Sequence, residues 1–268
     1  MKSKISFSTV FIIISLSLLS CKKDVIQNAK SVKDTITSYF ELKDLNNNNG
    51  SISFNSGKSF APNSKAVYQV SSVLFDKEGN QIKLGNLNIN DLVIQPTHQG
   101  IISTDIKISD QIGSLYGKEL TIQAFKDNSG LNARADEILL NSNLRLPSEI
   151  RIISPSPTTA GHNIRRTEII RWIPDPNNTK KMFIAIEFDP NRGDNKNFKS
   201  NKANANYVEV DDTGSYQLQP NDFKGIPNKS SITIYVARGN YTKTTSVSGR
   251  EKYAVLGYSM AQHQFISE

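Results

Sequence analysis

Four oxygen-bearing side chains close together in the second half of the sequence are the first candidates for chemistry. Calcium takes six to eight oxygen ligands, and a loop at the end of a strand can supply several of them. However, Arg192 and Lys196 place positive charge in the same loop, which favours a solvated loop over a bound cation. We therefore predict no metal site and keep one calcium candidate, formed by Glu187, Asp189, Asn191 and Asp194.

The residue types that usually perform catalysis are not spaced for it. The three histidines, His98, His162 and His263, are far apart, and the sequence has no HExxH pattern. There are two candidate carboxylate pairs, Glu187 with Asp189 and Glu209 with Asp211, and the members of each pair lie two residues apart on one predicted strand. Such neighbours sit side by side and do not flank a bond from two sides, as glycoside hydrolysis requires. We predict no catalytic residues and no cofactor.

Segment 55–59 (NSGKS) contains the glycine-lysine-serine run of a phosphate-binding loop. The first glycine of that motif would fall on Ile52, so the register is wrong. The segment is also flanked by predicted strands, with no helix whose N-terminus could face a phosphate. We therefore exclude a nucleotide-binding loop.

Positive charge is the unusual feature of the composition. The net charge is +7, of which +2 lies in residues 1–21 and +5 in residues 151–268. A local basic excess can indicate an anionic partner, and an anionic glycan or lipopolysaccharide would fit one here. The candidate anionic-ligand patch consists of Arg165, Arg166, Arg171, Lys180 and Lys181.

The single cysteine, Cys21, stands at the end of an N-terminal targeting segment. Lys2 and Lys4 precede the uncharged, apolar stretch 5–20, which is too short to span a bilayer as a helix. The segment ends Leu-Leu-Ser-Cys, which resembles the lipobox of bacterial lipoproteins. The resemblance implies cleavage before Cys21 and lipidation of its thiol, and therefore a membrane partner through the lipid anchor.

The residues after the cysteine indicate where such a protein is sent. The start Cys-Lys-Lys-Asp resembles surface lipoproteins of Bacteroidota-type bacteria, which implies the outer membrane. Residues 22–34 are polar and are predicted to form a tether. Whether the protein faces the periplasm or the cell surface stays open. Nucleic acid is excluded as a partner by this export signal.

Beyond the tether, the sequence predicts an all-β protein. Apolar and polar residues alternate with period 2, and short alternating runs are separated by Asn, Gly and Asp clusters. We predict two β-sandwich-like domains, at residues 35–147 and 148–268, divided near a proline-containing segment. A short strand is also predicted at 102–108.

The second domain is predicted to contain about seven strands, at 150–153, 168–173, 182–188, 207–210, 215–218, 232–238 and 253–265. In segment 182–188 the even-numbered residues are apolar and share one face. In segment 232–238 Ile232, Ile234 and Val236 share one face, which predicts a half-buried strand. Trp172 ends an early strand and is followed by a proline-rich turn and a long apolar strand. This pattern resembles immunoglobulin and fibronectin type III sandwiches, which implies that Trp172 fills the core between two sheets. A pair of cysteines of the antibody type is absent from the sequence.

The resulting interpretation is a lipid-anchored, non-enzymatic structural or binding accessory of the bacterial envelope, with a glycan or another envelope protein as partner. One alternative is a carbohydrate-binding module of a polysaccharide-uptake system. It requires a coplanar set of exposed aromatic side chains, for which the candidates are Tyr207, Tyr216, Tyr241 and Tyr258. A second alternative is a hydrolase whose site is not visible as a motif.

Overall fold

A computed structural model describes residues 48–61, 63–95, 106–127, 137–157, 161–191, 195 and 204–268. The predicted signal peptide, Cys21 and the tether lie outside the described residues. Within them the chain is mostly β-strand, in three sheets, with one short α-helix and one 3₁₀ turn. The predicted all-β, sandwich-like fold is confirmed.

The elements alternate with short turns. The strands are β1 (Gly50–Ser59), β2 (Val67–Leu74), β3 (Leu84–Ile89), β4 (Leu92–Ile94), β5 (Glu119–Lys126), β6 (Glu137–Arg145), β7 (Ile152–Ser154), β8 (His162–Ile164), β9 (Ile169–Trp172), β10 (Met182–Phe188), β11 (Asn204–Val210), β12 (Ser215–Gln217), β13 (Ser231–Thr245) and β14 (Lys252–Ser267). The helix α1 spans Ile106–Gly113 and the 3₁₀ turn spans Pro220–Phe223. All seven strands expected in the second half are present, and β8 is an addition to them.

A seven-stranded sheet extends through the whole described structure. Its strand order is β11-β10-β13-β14-β1-β2, and β8 pairs with the end of β14 beyond β1. The contact between β1 and β14 is parallel, with Ile52 opposite Val255, whereas β13 and β14 form a long antiparallel hairpin. The two smaller sheets have the orders β12-β9-β7 and β4-β3-β5-β6.

Each smaller sheet covers a different part of the large one. The four-stranded sheet buries its apolar side chains against β1, β2 and the start of β14, where Phe54 and Tyr253 are fully buried. The three-stranded sheet packs on β10, β13 and the end of β14, and Trp172 lies in this second core with 1% of its surface exposed. The predicted core position of Trp172 is therefore confirmed.

The boundary predicted at residues 147 and 148 separates most members of these two cores but does not divide the large sheet. Tyr253 and Val255 complete the first core, although they follow the boundary. Conversely, Phe60 precedes it and belongs to the second core. Because β1 and β14 share backbone hydrogen bonds, the two predicted domains are connected by a continuous sheet. The division into two domains stays a prediction.

The central strands are buried on both faces. Met182, Ile184 and the other even-numbered residues of β10 face the second core, as their alternation predicted. Phe183 on the opposite face is also fully buried, and it belongs to a third cluster with Tyr235. The expectation that segment 232–238 is half-buried is therefore wrong, because β13 lies in the middle of the sheet.

One predicted element has a different structure. The described part of the strand expected at 102–108 belongs to α1. Ile112, in the last turn of this helix, is buried in the first core, and so is Leu115 in the turn that follows the helix. Within the described residues, the structure contains no helix that is long and apolar enough to cross a membrane.

Candidate functional site

An open cleft lies between the end of β1 and strand β7. Its cavity volume is about 620 Å³. One wall is the end of β1 and the loop that follows it, and the other is β7 with the residue after β9. The polar side chains that line this cleft are Lys58, Ser59, Asn63, Ser64, Arg151 and Ser156.

Backbone hydrogen bonds hold the β1 wall in place. Phe60 donates its N–H to the carbonyl of Gln262 at 3.2 Å, which extends the pairing of β1 with β14 by one residue. The loop then closes on itself, because the N–H of Ser59 donates to Oγ of Ser64 at 3.0 Å. The N–H of Ala61 also donates to Oγ of Ser59, at 3.2 Å. The polar groups of this wall are therefore pre-positioned.

The β7 wall is attached to β9 of its own sheet and to β14 of the large sheet. The N–H of Ile173 donates to the carbonyl of Arg151 at 2.9 Å, which joins this wall to β9. Just before it, the N–H of Ile150 donates to the hydroxyl of Ser259 on β14 at 2.9 Å. Both walls are thus fixed to β14, and the cleft is a preformed feature of the fold.

Among the described residues, two cations and one carboxylate set the electrostatics of the cleft. Burial lowers the pKa of Lys58, and the nearby Arg151 acts in the same direction. Glu149 opposes both effects, since its negative charge favours the charged ammonium. That carboxylate also accepts a hydrogen bond from the hydroxyl of Tyr68, which lies on β2. Positive charge therefore exceeds negative charge around the cleft.

The cleft also has an apolar side. Ile153 and Ile173 are 56% and 44% exposed, among the most exposed large hydrophobic residues in the described chain. Phe60 and Ile152 continue the apolar lining, and both pack in or against the second core. The cleft therefore combines a cationic region with accessible hydrocarbon, and its described lining residues include no carboxylate.

A serine and a histidine meet at the edge of the cleft. Oγ of Ser59 lies 3.0 Å from Nδ1 of His263, a residue 204 positions away in the sequence. The imidazole stacks on Phe60, with ring centroids 6.3 Å apart. Sequence reasoning missed this contact, because it depends on the parallel pairing of β1 and β14 and has no local signal.

Lys58 and Ser59 belong to the segment whose register is wrong for a phosphate loop, and the structure shows that this segment is strand β1. The glycine-lysine-serine run supplies only one wall of the cleft, so it does not predict the cleft by itself. Arg151 and Ile173 complete it from a part of the chain about a hundred residues away.

The structure divides the residues of the predicted anionic patch. The guanidinium of Arg166 is engaged by contacts within the protein. It donates to the carbonyl of Ile226 at 2.8 Å and lies 4.9 Å from the ring centroid of Phe223. Arg165 is exposed and lies 3.9 Å from the carboxylate of Glu268. These two arginines are therefore at the end of the sheet where the chain terminates.

The two lysines of the predicted patch lie at the other end of the same sheet. Lys181 forms a 2.6 Å ion pair with Asp211, and Lys180 lies 5.8 Å from the ring centroid of Tyr241. Residues 231–238 of β13 separate the two ends of the sheet. At the rise per residue of a β-strand, this segment is about 23 Å long. Arg171, exposed on β9, is the fifth member. The structure thus does not gather the five side chains, and anion binding by them stays a prediction.

The calcium candidate is only partly described. The carboxylate of Glu187 accepts a hydrogen bond from the hydroxyl of Tyr235 at 2.7 Å, and that of Asp189 accepts the N–H of Asn191 at 2.9 Å. Asp194 lies outside the described residues. In the part of the chain that the structure describes, no three His, Cys, Asp or Glu side chains are grouped for metal binding.

The four candidate tyrosines do not form one surface. Tyr207 is 59% exposed and stacks on Phe183, and Tyr241 is 38% exposed. Tyr258 is buried, and Tyr216 is half-buried with its hydroxyl donating to Asp222. The pairing of β11 through β10 to β13 offsets the two exposed tyrosines by six residues, about 20 Å along the strands.

Comparison with known proteins adds no relative. The chain matches no protein-family model, no curated protein and no solved structure. The functional assignment therefore depends on the site itself and on the predicted targeting segment.

Proposed function

We propose that this protein is a lipid-anchored, non-enzymatic accessory of the bacterial outer membrane that binds a ligand in the cleft between β1 and β7. The observation that carries the binding function is the cleft, a preformed cavity of about 620 Å³ with cationic, hydroxyl and apolar lining. Ligand sites commonly have volumes of about 300 to 1,000 Å³ and combine apolar walls with a few positioned polar groups.

The anchor is supported by the sequence. A basic start, a short apolar stretch and the Leu-Leu-Ser-Cys ending place the only thiol of the chain where lipidation requires it. Stable attachment requires more than one acyl chain, as in the bacterial lipoproteins that this segment resembles. The folded part would then be held at the membrane by its N-terminal tether.

The anchor is tested by feeding cells an alkyne-tagged fatty acid and comparing the wild-type chain with Cys21→Ser. The wild-type protein should carry the label and sediment with outer-membrane fragments. The variant should lose the label, because serine offers no thiol for the first lipid. Equal labelling of both chains would contradict lipidation at this residue.

The binding function is tested by a thermal-shift screen of envelope sugars, fatty acids, nucleotides and amino acids on residues 22–268. A ligand of the cleft should raise the Tm of the wild-type chain but not that of Ile173→Trp, which narrows the cleft. Val247→Trp is the matched control, since Val247 is 63% exposed in the turn between β13 and β14. A compound that stabilises all three chains equally binds outside the cleft. The proposal would be contradicted if every stabilising compound behaved in this way.

A second candidate function, a serine hydrolase, is favoured by one specific observation. Ser59 and His263 lie within hydrogen-bond distance, and a serine beside a base is the minimum arrangement for a nucleophile. A fluorophosphonate probe, which reacts with activated serines, separates the two functions. Labelling that disappears in Ser59→Ala and in His263→Ala would support the hydrolase, whereas the binding function predicts no labelling of Ser59.

A further inference from the structure

We propose that the cleft binds a small amphipathic anion, with its charged group between Lys58 and Arg151 and its apolar part against Ile153 and Ile173. This inference rests on the proposed binding function and specifies the class of ligand. The four residues line the same cavity, although they come from three separate segments of the chain. The two cations and the two isoleucines therefore form one site that no single segment contains.

The cationic region favours a negative group over a neutral one. Lys58 lies partly buried beside Arg151, so each of the two positive charges is unfavourable for the other. Glu149 offsets them only in part, and its carboxylate is also engaged by the hydroxyl of Tyr68. An anionic group between the two cations would supply the missing negative charge. It would also form charge-assisted hydrogen bonds, which are stronger than neutral ones.

Hydroxyl groups beside the cations can complete the coordination of an anion. Oγ of Ser64 accepts the N–H of Ser59, which leaves the hydroxyl proton of Ser64 to be donated into the cleft. Ser156 lines the same cavity from the opposite wall and is exposed. A carboxylate, sulfonate or phosphate accepts several hydrogen bonds at once, so this donor set suits an anion better than an alcohol.

The apolar side of the cleft restricts the rest of the ligand. Ile153 and Ile173 would lose contact with water if a hydrocarbon or aromatic group covered them, which is favourable. A simple inorganic anion would leave both side chains exposed. A fully apolar molecule would leave the two cations without a counter-charge. The cleft is therefore suited to a molecule with one charged end and one apolar end.

The inference is tested with two fluorescent probes that differ only in one sulfonate group. 8-Anilinonaphthalene-1-sulfonate carries a sulfonate, and N-phenyl-1-naphthylamine has the same ring system without it. Fluorescence titration of residues 22–268 should show tighter binding of the sulfonate, by about tenfold, which corresponds to one charge-assisted hydrogen bond. The same samples are checked for a cooperative thermal transition, so that probe binding reports on the folded chain.

Four variants assign the preference to the cleft. Lys58→Gln and Arg151→Gln should each remove the preference for the sulfonate while leaving the affinity for the neutral probe within about twofold. Lys126→Gln on β5 and Arg250→Gln in the β13–β14 turn are matched controls, because both side chains are exposed and neither lines the cleft. They should behave as the wild-type chain does. Equal loss in the control variants would overturn the assignment.

A fifth variant separates failure of this inference from failure of the binding function. Ile173→Ser should weaken both probes, by about fivefold, since it removes apolar contact from both. If both probes bind equally and both are weakened, the cleft binds ligands without selecting anions, and only the present inference fails. If neither probe responds to any cleft variant, the binding function fails as well.

Competition identifies the source of the anion. Octanoate, a free amphipathic anion, should displace the sulfonate probe from the wild-type chain. Phosphatidylglycerol vesicles offer an anionic headgroup at a membrane surface. Displacement by the vesicles but not by octanoate would overturn the proposal of a free ligand.

Discussion

The guanidinium of Arg238 lies 3.4 Å from the carboxylate of Asp212, and both side chains are withdrawn from solvent. The arginine also donates to the carbonyl of Ile173 at 2.7 Å and to the hydroxyl of Ser148 at 3.0 Å. The aspartate accepts the indole N–H of Trp172 at 2.7 Å. A buried ion pair thus connects strand β13 to the turn that follows β9 and to the start of the second half of the chain.

Removing one member of this pair should destabilise the fold strongly. Arg238→Met leaves the carboxylate of Asp212 buried without its counter-charge, which costs about 3–5 kcal/mol. Urea unfolding followed by circular dichroism measures the change. Lys181→Met is the matched control, because its ion pair with Asp211 is exposed and should contribute less than about 1 kcal/mol. Equal losses in the free energy of unfolding for the two variants would show that the buried pair contributes no more than the exposed one.

Trp172 offers an intrinsic probe of the same region. It is the only tryptophan of the sequence and is buried, so its emission should shift to the red when the second core unfolds. Trp172→Phe keeps a ring in the core but leaves the carboxylate of Asp212 without the indole donor. The loss of that buried hydrogen bond should lower the free energy of unfolding by about 1–3 kcal/mol, measured by urea unfolding. An unchanged midpoint would contradict the role assigned to the indole N–H.

Gly257 on β14 is a position where the first core leaves no room for a side chain. A Cβ added there would overlap Cδ2 of Leu146, which is fully buried. Gly257→Ala should therefore cost about 1–3 kcal/mol through overpacking. In the double variant with Leu146→Ala, the added methyl group should enter the space vacated by the leucine. The double variant should then lose less stability than the sum of the two single variants.

Acid should weaken the β13–β14 hairpin at Glu251. Hydrogen bonds from the hydroxyl of Ser246, and then that of Ser248, lower the pKa of this carboxyl, although burial acts in the opposite direction. Because the folded-state pKa is the lower one, the contribution to stability is present above the unfolded-state pKa. It is lost as the pH falls through the folded-state pKa.

The measurement is the urea midpoint at neutral pH and at successively lower pH. Glu251→Gln should lose less stability on acidification than the wild-type chain, since it lacks the group that becomes protonated. Glu78→Gln, at an exposed position in the turn after β2, is the control and should retain the wild-type acid response. Identical acid responses of all three chains would refute the role of Glu251.

Much of the local structure could be predicted, because the side chains of a strand alternate between its two faces and the sequence shows that alternation. The even positions of segment 182–188 face a core, and Trp172 is buried, as their patterns indicated. The alternation of Ile106 and Ile108 was misleading, because a segment of a few residues can satisfy more than one period. The burial of β13 on both faces could not be read from the sequence, since it depends on which strands lie beside it.

The candidate site was beyond sequence reasoning for the same reason. Lys58 and Arg151 belong to segments with no shared motif, and Ser59 meets His263 only because β1 pairs in parallel with β14. The five cations of the predicted patch are close along the chain. In the structure, however, two of the arginines and both lysines lie at opposite ends of the same long strands. Proximity in sequence was therefore a poor guide to proximity in the sheet.

By itself the sequence determined the all-β class and the seven strands of the second half, because alternation acts locally, and the resemblance to sandwich domains implied the core position of Trp172. Only the tertiary structure decided that β1 joins β14, that Arg238 is buried with Asp212, and that Lys58 and Arg151 line one cleft. Such contacts join residues that are tens to hundreds of positions apart. They are selected by the packing of whole sheets against each other, which no local pattern of residues encodes.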